Sequence, residues 1–218
     1  MSKPELKTLM TEYVHGKIEK HNEIKQELIS QILSSNSHSI HDETERVSHT
    51  DLNYRDQARP WLPLFFDNIR PYMDDFVKLF MHENWAIHHT WYFRYLKGEY
   101  SQWHVHPDCS WTNVYFLQLP DKKSRTTLLN ASSGEEVIIA DVEEGDIISF
   151  PSAVIHCSKP NMFDEDKIVI AFNSDIYDTQ VHKTYPVETY KRTTIRDFNT
   201  EERKAAKERK ERNRDNAE

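Results

Sequence analysis

Near the start of the chain, apolar residues recur in steps of three and four. Leu6, Leu9, Met10, Tyr13, Val14 and Ile18, then Ile24, Leu28, Ile32 and Leu33, trace one face of an amphipathic helix over residues 3–34, or of two helices parted near Gly16. Residues 35–58 are polar and without period, which predicts a long loop. A second helix is predicted from Pro60 through WLPLFFDNIRPYMDDFVKLFMHEN, with an apolar face broad enough to pack on a sheet. From Trp85 the period changes to two. The stretches AIHHTWYFRYL, SWTNVYFLQL, RTTLLNA, EEVIIAD, DIISFP and DKIVIAFNS are rich in β-branched and aromatic residues and are separated by short polar turns. Six or more short strands at that spacing predict a jelly roll or barrel. The chain is therefore expected to be mostly β with flanking α. Its parts would be an N-terminal helical region packing on the sheet (1–84), a β core (85–198) and a charged C-terminal helix or tail (199–218) in which both signs are mixed.

Composition narrows the chemistry. The 218 residues include only four glycines, Gly16, Gly98, Gly134 and Gly145, no two of them close together. A Walker loop, a GxGxxG dinucleotide turn and a GxSxG nucleophile elbow are all excluded. The formal net charge of −8 gives no global pull toward phosphate backbones, so no nucleic-acid partner is expected. Two cysteines, Cys109 and Cys157, are too few for a disulfide framework and lack zinc-ligand spacing. No apolar run approaches a membrane span, and the N-terminal MSKPELKTLM lacks a signal-peptide core. These features lead to the expectation of a cytoplasmic protein, in a host's cytoplasm should the chain be viral, with no membrane partner.

Candidate chemistry lies with three histidines of the β region. His104 and His106 form the pair in WHVHP, and His156 stands in PSAVIHC. Residues i and i+2 on a strand project from one face, so the pair can share an ion, and a third imidazole from a neighbouring strand would complete a facial set. The coordination positions left open are those that non-haem iron needs for substrate and oxygen. Taken alone, an HxH pair is also what two ordinary surface or core histidines look like. The surroundings add to it: Gly98 stands six residues before His104, Gly145 six before Pro151, and His156 five after that proline.

With those glycines and histidines in place, residues 85–177 resemble the cupin-like double-stranded β-helix of the 2-oxoglutarate/Fe(II)-dependent oxygenases, in particular their small, phage-type, prolyl-hydroxylase-like branch. The family's Tyr-x-x-Gly-x5-His-x-Asp block is matched by Tyr95, Gly98 and His104, with His106 at the usual aspartate position. The resemblance implies Fe(II) held by His104, His106 and His156, with 2-oxoglutarate and O2 as cosubstrates. It implies that Lys167, eleven residues after His156, pairs with the distal carboxylate of 2-oxoglutarate. Tyr95, Asn113 and Tyr115 are further pocket candidates by strand position alone. The pattern departs at the second ligand, because His106 and Asp108 make a competing HxD motif; the glycine spacing and the distance to the VYFL strand favour His106. The implied activity is hydroxylation of an unidentified substrate, a protein, a peptide or a small molecule. Two alternatives stand beside it: a three-histidine cupin dioxygenase that needs no 2-oxoglutarate, and a catalytically silent β-helix serving as a binding or structural module.

Overall fold

The computed structural model describes residues 12–52, 59–107, 109–130, 133–138 and 142–178. In chain order the elements are β1 (Val14–Lys17), α1 (His21–Ser34), β2 (His38–His41), β3 (Glu45–Thr50), α2 (Trp61–Leu79), β4 (Asn84–Tyr95), β5 (Tyr100–His104) and β6 (Trp111–Gln118). A single 3₁₀ turn (Lys122–Ser124) leads to β7 (Thr126–Leu129), β8 (Glu136–Ile138), β9 (Asp146–Pro151), β10 (His156–Ser158) and β11 (Lys167–Tyr177). All strand pairs are antiparallel, in the order β1-β9-β6-β11-β4-β3-β5-β10-β7-β8, with β2 hydrogen-bonded to β3. The curled sheet is a double-stranded β-helix supported by two helices, as the strand pattern and the resemblance led one to expect.

Two apolar clusters explain the layering. The first lies between the helices and one face of the sheet. Leu28 and Ile32 of α1, with Trp61, Phe65, Ile69, Met73 and Phe76 of α2, pack on Tyr92, Tyr115, Leu117, Ile147, Ile168, Ile170 and Phe172. The steps of three and four along α2 put those five side chains on one stripe. The second cluster fills the inside of the β-helix: Trp91, Phe93 and Tyr95 of β4, Val114 and Phe116 of β6, Ile148 and Phe150 of β9, and Val169 and Ala171 of β11. Strands β4, β6, β9 and β11 are thus buried on both faces, and their alternation sorts residues between a helix-facing side and an interior side.

Several expectations are corrected. The helix predicted over 3–34 is a helix only from His21; Val14–Lys17 forms β1, which extends the sheet by pairing with β9. The loop predicted over 35–58 contains the β2–β3 hairpin, and β3 joins β4 to β5. The N-terminal part is therefore not purely helical: it supplies three strands to the sheet that was expected to begin at residue 85. Residues 12–177 lie in one compact unit, and a second unit begins at Asp178. The end of the expected core (179–198) and the charged tail (199–218) lie outside the described residues. Among the described residues no helix is long and apolar enough to cross a membrane.

The two glycines of the sequence signature sit where the chain turns toward the site. Gly98 (φ +82°) lies in the turn between β4 and β5. Gly145 (φ +89°) opens β9, and a Cβ there would fall 2.8 Å from the ring of His21 on α1. Its left-handed backbone and the close imidazole both require glycine.

Candidate metal centre

Strands β5 and β10 are paired with His104 opposite His156. The next paired residues are Ser101 and Ser158, so β5 takes three steps where β10 takes two. This bulge lets both Ser101 and His104 meet interior side chains: the Ser101 hydroxyl is 2.7 Å from the Tyr95 hydroxyl, and the His104 ring centroid is 4.2 Å from that of His156. His106 arrives differently from the expectation of two histidines on one strand. β5 ends at His104, and His106 lies beyond it, its backbone N–H donating to the Ser152 carbonyl (3.1 Å). Its ring is nearly parallel to that of Trp91, with centroids 5.5 Å apart.

The three imidazoles converge. Their potential ligand atoms all lie within 4.8 Å of one another, a grouping that could hold a metal ion. His104 Nδ1–H donates to the Gln102 carbonyl (2.7 Å) and His156 Nδ1–H to the Val154 carbonyl (2.9 Å). Both rings are thereby fixed as the tautomer whose Nε2 lone pair is free for a cation. His106 Nε2 lies 3.2 Å from His156 Nε2. Two nitrogens about 2.1 Å from one ion and at right angles would be separated by about 3 Å, so the spacing fits adjacent ligands of a single ion. Burial holds all three rings in the neutral, ligating form. It lowers the pKa of His104, brings His106 down to about 4 with help from the neighbouring His104, and brings His156 down to about 3 against the opposing Val154 hydrogen bond. The donor set fits a divalent transition metal, and it carries no ligand charge. Asp108, the competing second ligand, lies outside the described residues.

Lys167 is buried (1% exposed) at the start of β11. β11 does not run beside the His156 strand: it pairs with β4 and β6, on the opposite wall. Lys167 nevertheless spans the interior, since its Nζ donates to Ser158 Oγ on β10 (2.7 Å) and lies 5.0 Å from the centroid of the Tyr95 ring. Ser158 and His156 share a face of β10, so the ammonium is tied to the same wall as the distal imidazole. Burial lowers its pKa to about 7. Tyr95, its register partner on β4, belongs to this interior, where burial raises its hydroxyl pKa beyond the usual range.

Asn113 and Tyr115 are not brought to this site. They alternate with Val114 and Phe116 and face the helices. The Tyr115 hydroxyl is hydrogen-bonded to His21 Nδ1 (2.6 Å), and Asn113 Oδ1 accepts from Ser149 Oγ (2.5 Å), which in turn meets the Tyr72 hydroxyl on α2 (2.7 Å). Residues that sequence reasoning missed at the inner end are Ser101, Ser158 and Glu45. Ser158 stands two residues after His156, a spacing that could have flagged it; Glu45 lies in a segment with no legible period.

Residues 89–173, from β4 to β11, match the family model described as "Putative 2OG-Fe(II) oxygenase". That match aligns the β core with the 2-oxoglutarate/Fe(II)-dependent oxygenase superfamily. No curated protein matches the sequence. Solved structures share the fold at low identity. A Pseudomonas putida prolyl-4-hydroxylase aligns at 13% identity and TM-score 0.50 over 74% of this chain and 91% of its own. A Trichoplax adhaerens prolyl hydroxylase, solved with a hypoxia inducible factor peptide fragment, aligns at 12% and 0.56 over 79% and 86%. The non-heme alpha ketoglutarate dependent epimerase SnoN from nogalamycin biosynthesis aligns at 12% and 0.56 over 74% and 76%. Iron, 2-oxoglutarate and O2 are the cofactor and cosubstrates of this superfamily, and the histidine group offers iron a donor set of suitable chemistry.

Proposed function

We propose that the chain is a hydroxylase in which His104, His106 and His156 hold Fe(II), Lys167 anchors 2-oxoglutarate, and the substrate is a residue of a protein or peptide. In the net reaction, 2-oxoglutarate loses CO2 and becomes succinate, one oxygen atom of O2 entering the succinate and the other the substrate C–H bond. Bound iron would supply the redox chemistry that lets O2 react. The protein's own part is to hold neutral imidazoles, to exclude water and to place a cation where the far carboxylate ends.

The observation that carries this reading is the pairing of the histidine group with Lys167. Its ammonium is buried with a hydroxyl and an aromatic ring as its contacts, and stripping an ammonium of water without a counter-anion costs several kcal/mol. A dicarboxylate bound to the metal through its keto-acid end would bring the missing charge. A three-histidine dioxygenase that attacks its substrate directly has no use for that cation, which favours the 2-oxoglutarate reading. The prolyl hydroxylases among the structural relatives support a peptide or protein substrate. The test is succinate formation from 2-oxoglutarate by the purified chain under air, with and without Fe(II). Iron-dependent succinate that vanishes in His156→Ala supports the proposal; succinate formed equally by His156→Ala, or none at all, overturns it.

A further inference from the structure

Three buried polar atoms on the interior wall beside the histidines have no hydrogen-bond partner: Trp91 Nε1, Thr112 Oγ1 and Asn173 Oδ1. Their side chains are 4%, 1% and 7% exposed. They lie on three adjacent strands, β4, β6 and β11. Thr112 is the direct register partner of Asn173, and Trp91 is the partner of Ala171, two residues before Asn173. On β11 the interior positions run Lys167, Val169, Ala171, Asn173, and on β6 they run Thr112, Val114, Phe116, so all three groups face inward. The patch adjoins the metal group on two sides: Trp91 stacks on His106, and Phe150, the partner of Thr112 on β9, has its ring centroid 4.8 Å from that of His156.

The patch is distinct from the cosubstrate end. Lys167 and Asn173 are six residues apart on one strand, a rise of about 20 Å, and a five-carbon diacid is far shorter than that. A molecule reaching from the histidines to Lys167 does not extend to the Asn173 row, which lies on the other side of the histidines.

We infer that Trp91, Thr112 and Asn173 form a recognition subsite for an amide group of the second substrate, an inference that rests on the function proposed above. The indole N–H can only donate, the Asn173 carbonyl oxygen can only accept, and the Thr112 hydroxyl does either. Its other buried interior members, Val114, Phe150 and Ala171, carry no charge, and His89, exposed on β4, is the titratable residue paired opposite Asn173. Among those buried members an ion would be desolvated without a counter-charge, so the group they take up is neutral. Donor and acceptor fixed on adjacent strands are the complement of an amide, whose carbonyl and N–H are likewise fixed. Binding satisfies donors and acceptors that are otherwise buried and unpaired.

The test uses the full chain loaded with Zn(II) and 2-oxoglutarate, labelled with ¹⁵N, and follows the Trp91 indole resonance, identified by its absence in Trp91→Phe. The probes are N-acetylalanine methylamide, sodium acetate and glycerol. The diamide is expected to shift the Trp91 indole saturably while acetate and glycerol leave it in place. Asn173→Leu and Thr112→Val should weaken that titration at least fivefold, and Thr112→Ser, which keeps the hydroxyl, should stay within about twofold of the parent. An indole that ignores the diamide, a response as large to acetate or glycerol, or an unchanged titration in Asn173→Leu overturns the assignment. Binding of 2-oxoglutarate is read separately in the same samples, by broadening of its own resonances. Its absence would count against the proposed function, whereas a silent indole with 2-oxoglutarate bound would count against the subsite alone.

Discussion

Lys167 has an ammonium group whose close contacts are the Ser158 hydroxyl and the Tyr95 ring, and burial brings its pKa to about 7. Between pH 7 and the ordinary lysine range near 10.4, the unfolded chain binds more protons at this residue than the folded one, so its contribution to stability rises with pH across that window. A carboxylate beside it reverses the preference and draws a proton onto the amine. Binding of 2-oxoglutarate at pH 8 is therefore expected to take up protons, approaching one per molecule, as measured by titration calorimetry in two buffers of different ionisation enthalpy. Lys167→Ala should abolish that uptake and raise the 2-oxoglutarate requirement at least tenfold, about 1.4 kcal/mol, with Lys167→Arg much less affected. Uptake that persists in Lys167→Ala would place the anchor elsewhere. At His106 the expectation concerns metal. His106→Ala should lower Fe(II) or Zn(II) retention after dialysis at least tenfold, read by elemental analysis, with the far-ultraviolet circular dichroism unchanged. Retention equal to the parent would remove His106 from the ligand set.

Among the elements, α2 and the long strands were legible because their periods are strong. The steps of Trp61, Phe65, Ile69 and Met73 are those of a helix stripe, and the structure buries that stripe. Phe65 touches Trp61, Tyr115 and Phe172, so Phe65→Ala is expected to cost about 3–5 kcal/mol in urea denaturation. A loss below 1 kcal/mol would mean that the helix layer is loosely packed. Strands β1, β2 and β3 were not legible. β2 (HSIH) and its neighbour β3 are short and carry histidine, serine and acidic side chains, so their propensity resembles that of a loop. Their strand character comes from the ladder partners that the fold provides. One consequence sits at Glu45 on β3, where burial raises the carboxyl pKa to about 7 despite a hydrogen bond from Ser101. The folded state prefers the protonated form, so this residue's contribution to stability is full below about pH 4.5 and is lost as pH rises through 7. Glu45→Gln should flatten the decline in stability between pH 5 and 8 by about 1–3 kcal/mol, measured by denaturation at each pH. An identical pH slope in the variant would rule that residue out as the source.

For the molecule as a whole, the sequence revealed the histidine spacing, the signature glycines and the lysine, because each is a rare residue type at a fixed separation. It did not reveal which side of a strand faces the site. β6 is buried along nearly its whole length, so no polar alternation marks its interior face, and Asn113 and Tyr115 were assigned to the pocket although they meet the helices. It did not reveal that Lys167 reaches His156's strand from the opposite wall, since that depends on how the sheet curls. The most direct measurement is an anaerobic titration of the full chain with Fe(II), in the presence and absence of 2-oxoglutarate, followed by visible absorption. The expected result is a metal-to-ligand charge-transfer band that needs both components, saturates at one iron per chain, disappears in His104→Ala and His156→Ala, and in Lys167→Ala forms only at higher 2-oxoglutarate. No band at saturating Fe(II) and 2-oxoglutarate, or a band untouched by loss of His156, would contradict the proposed centre.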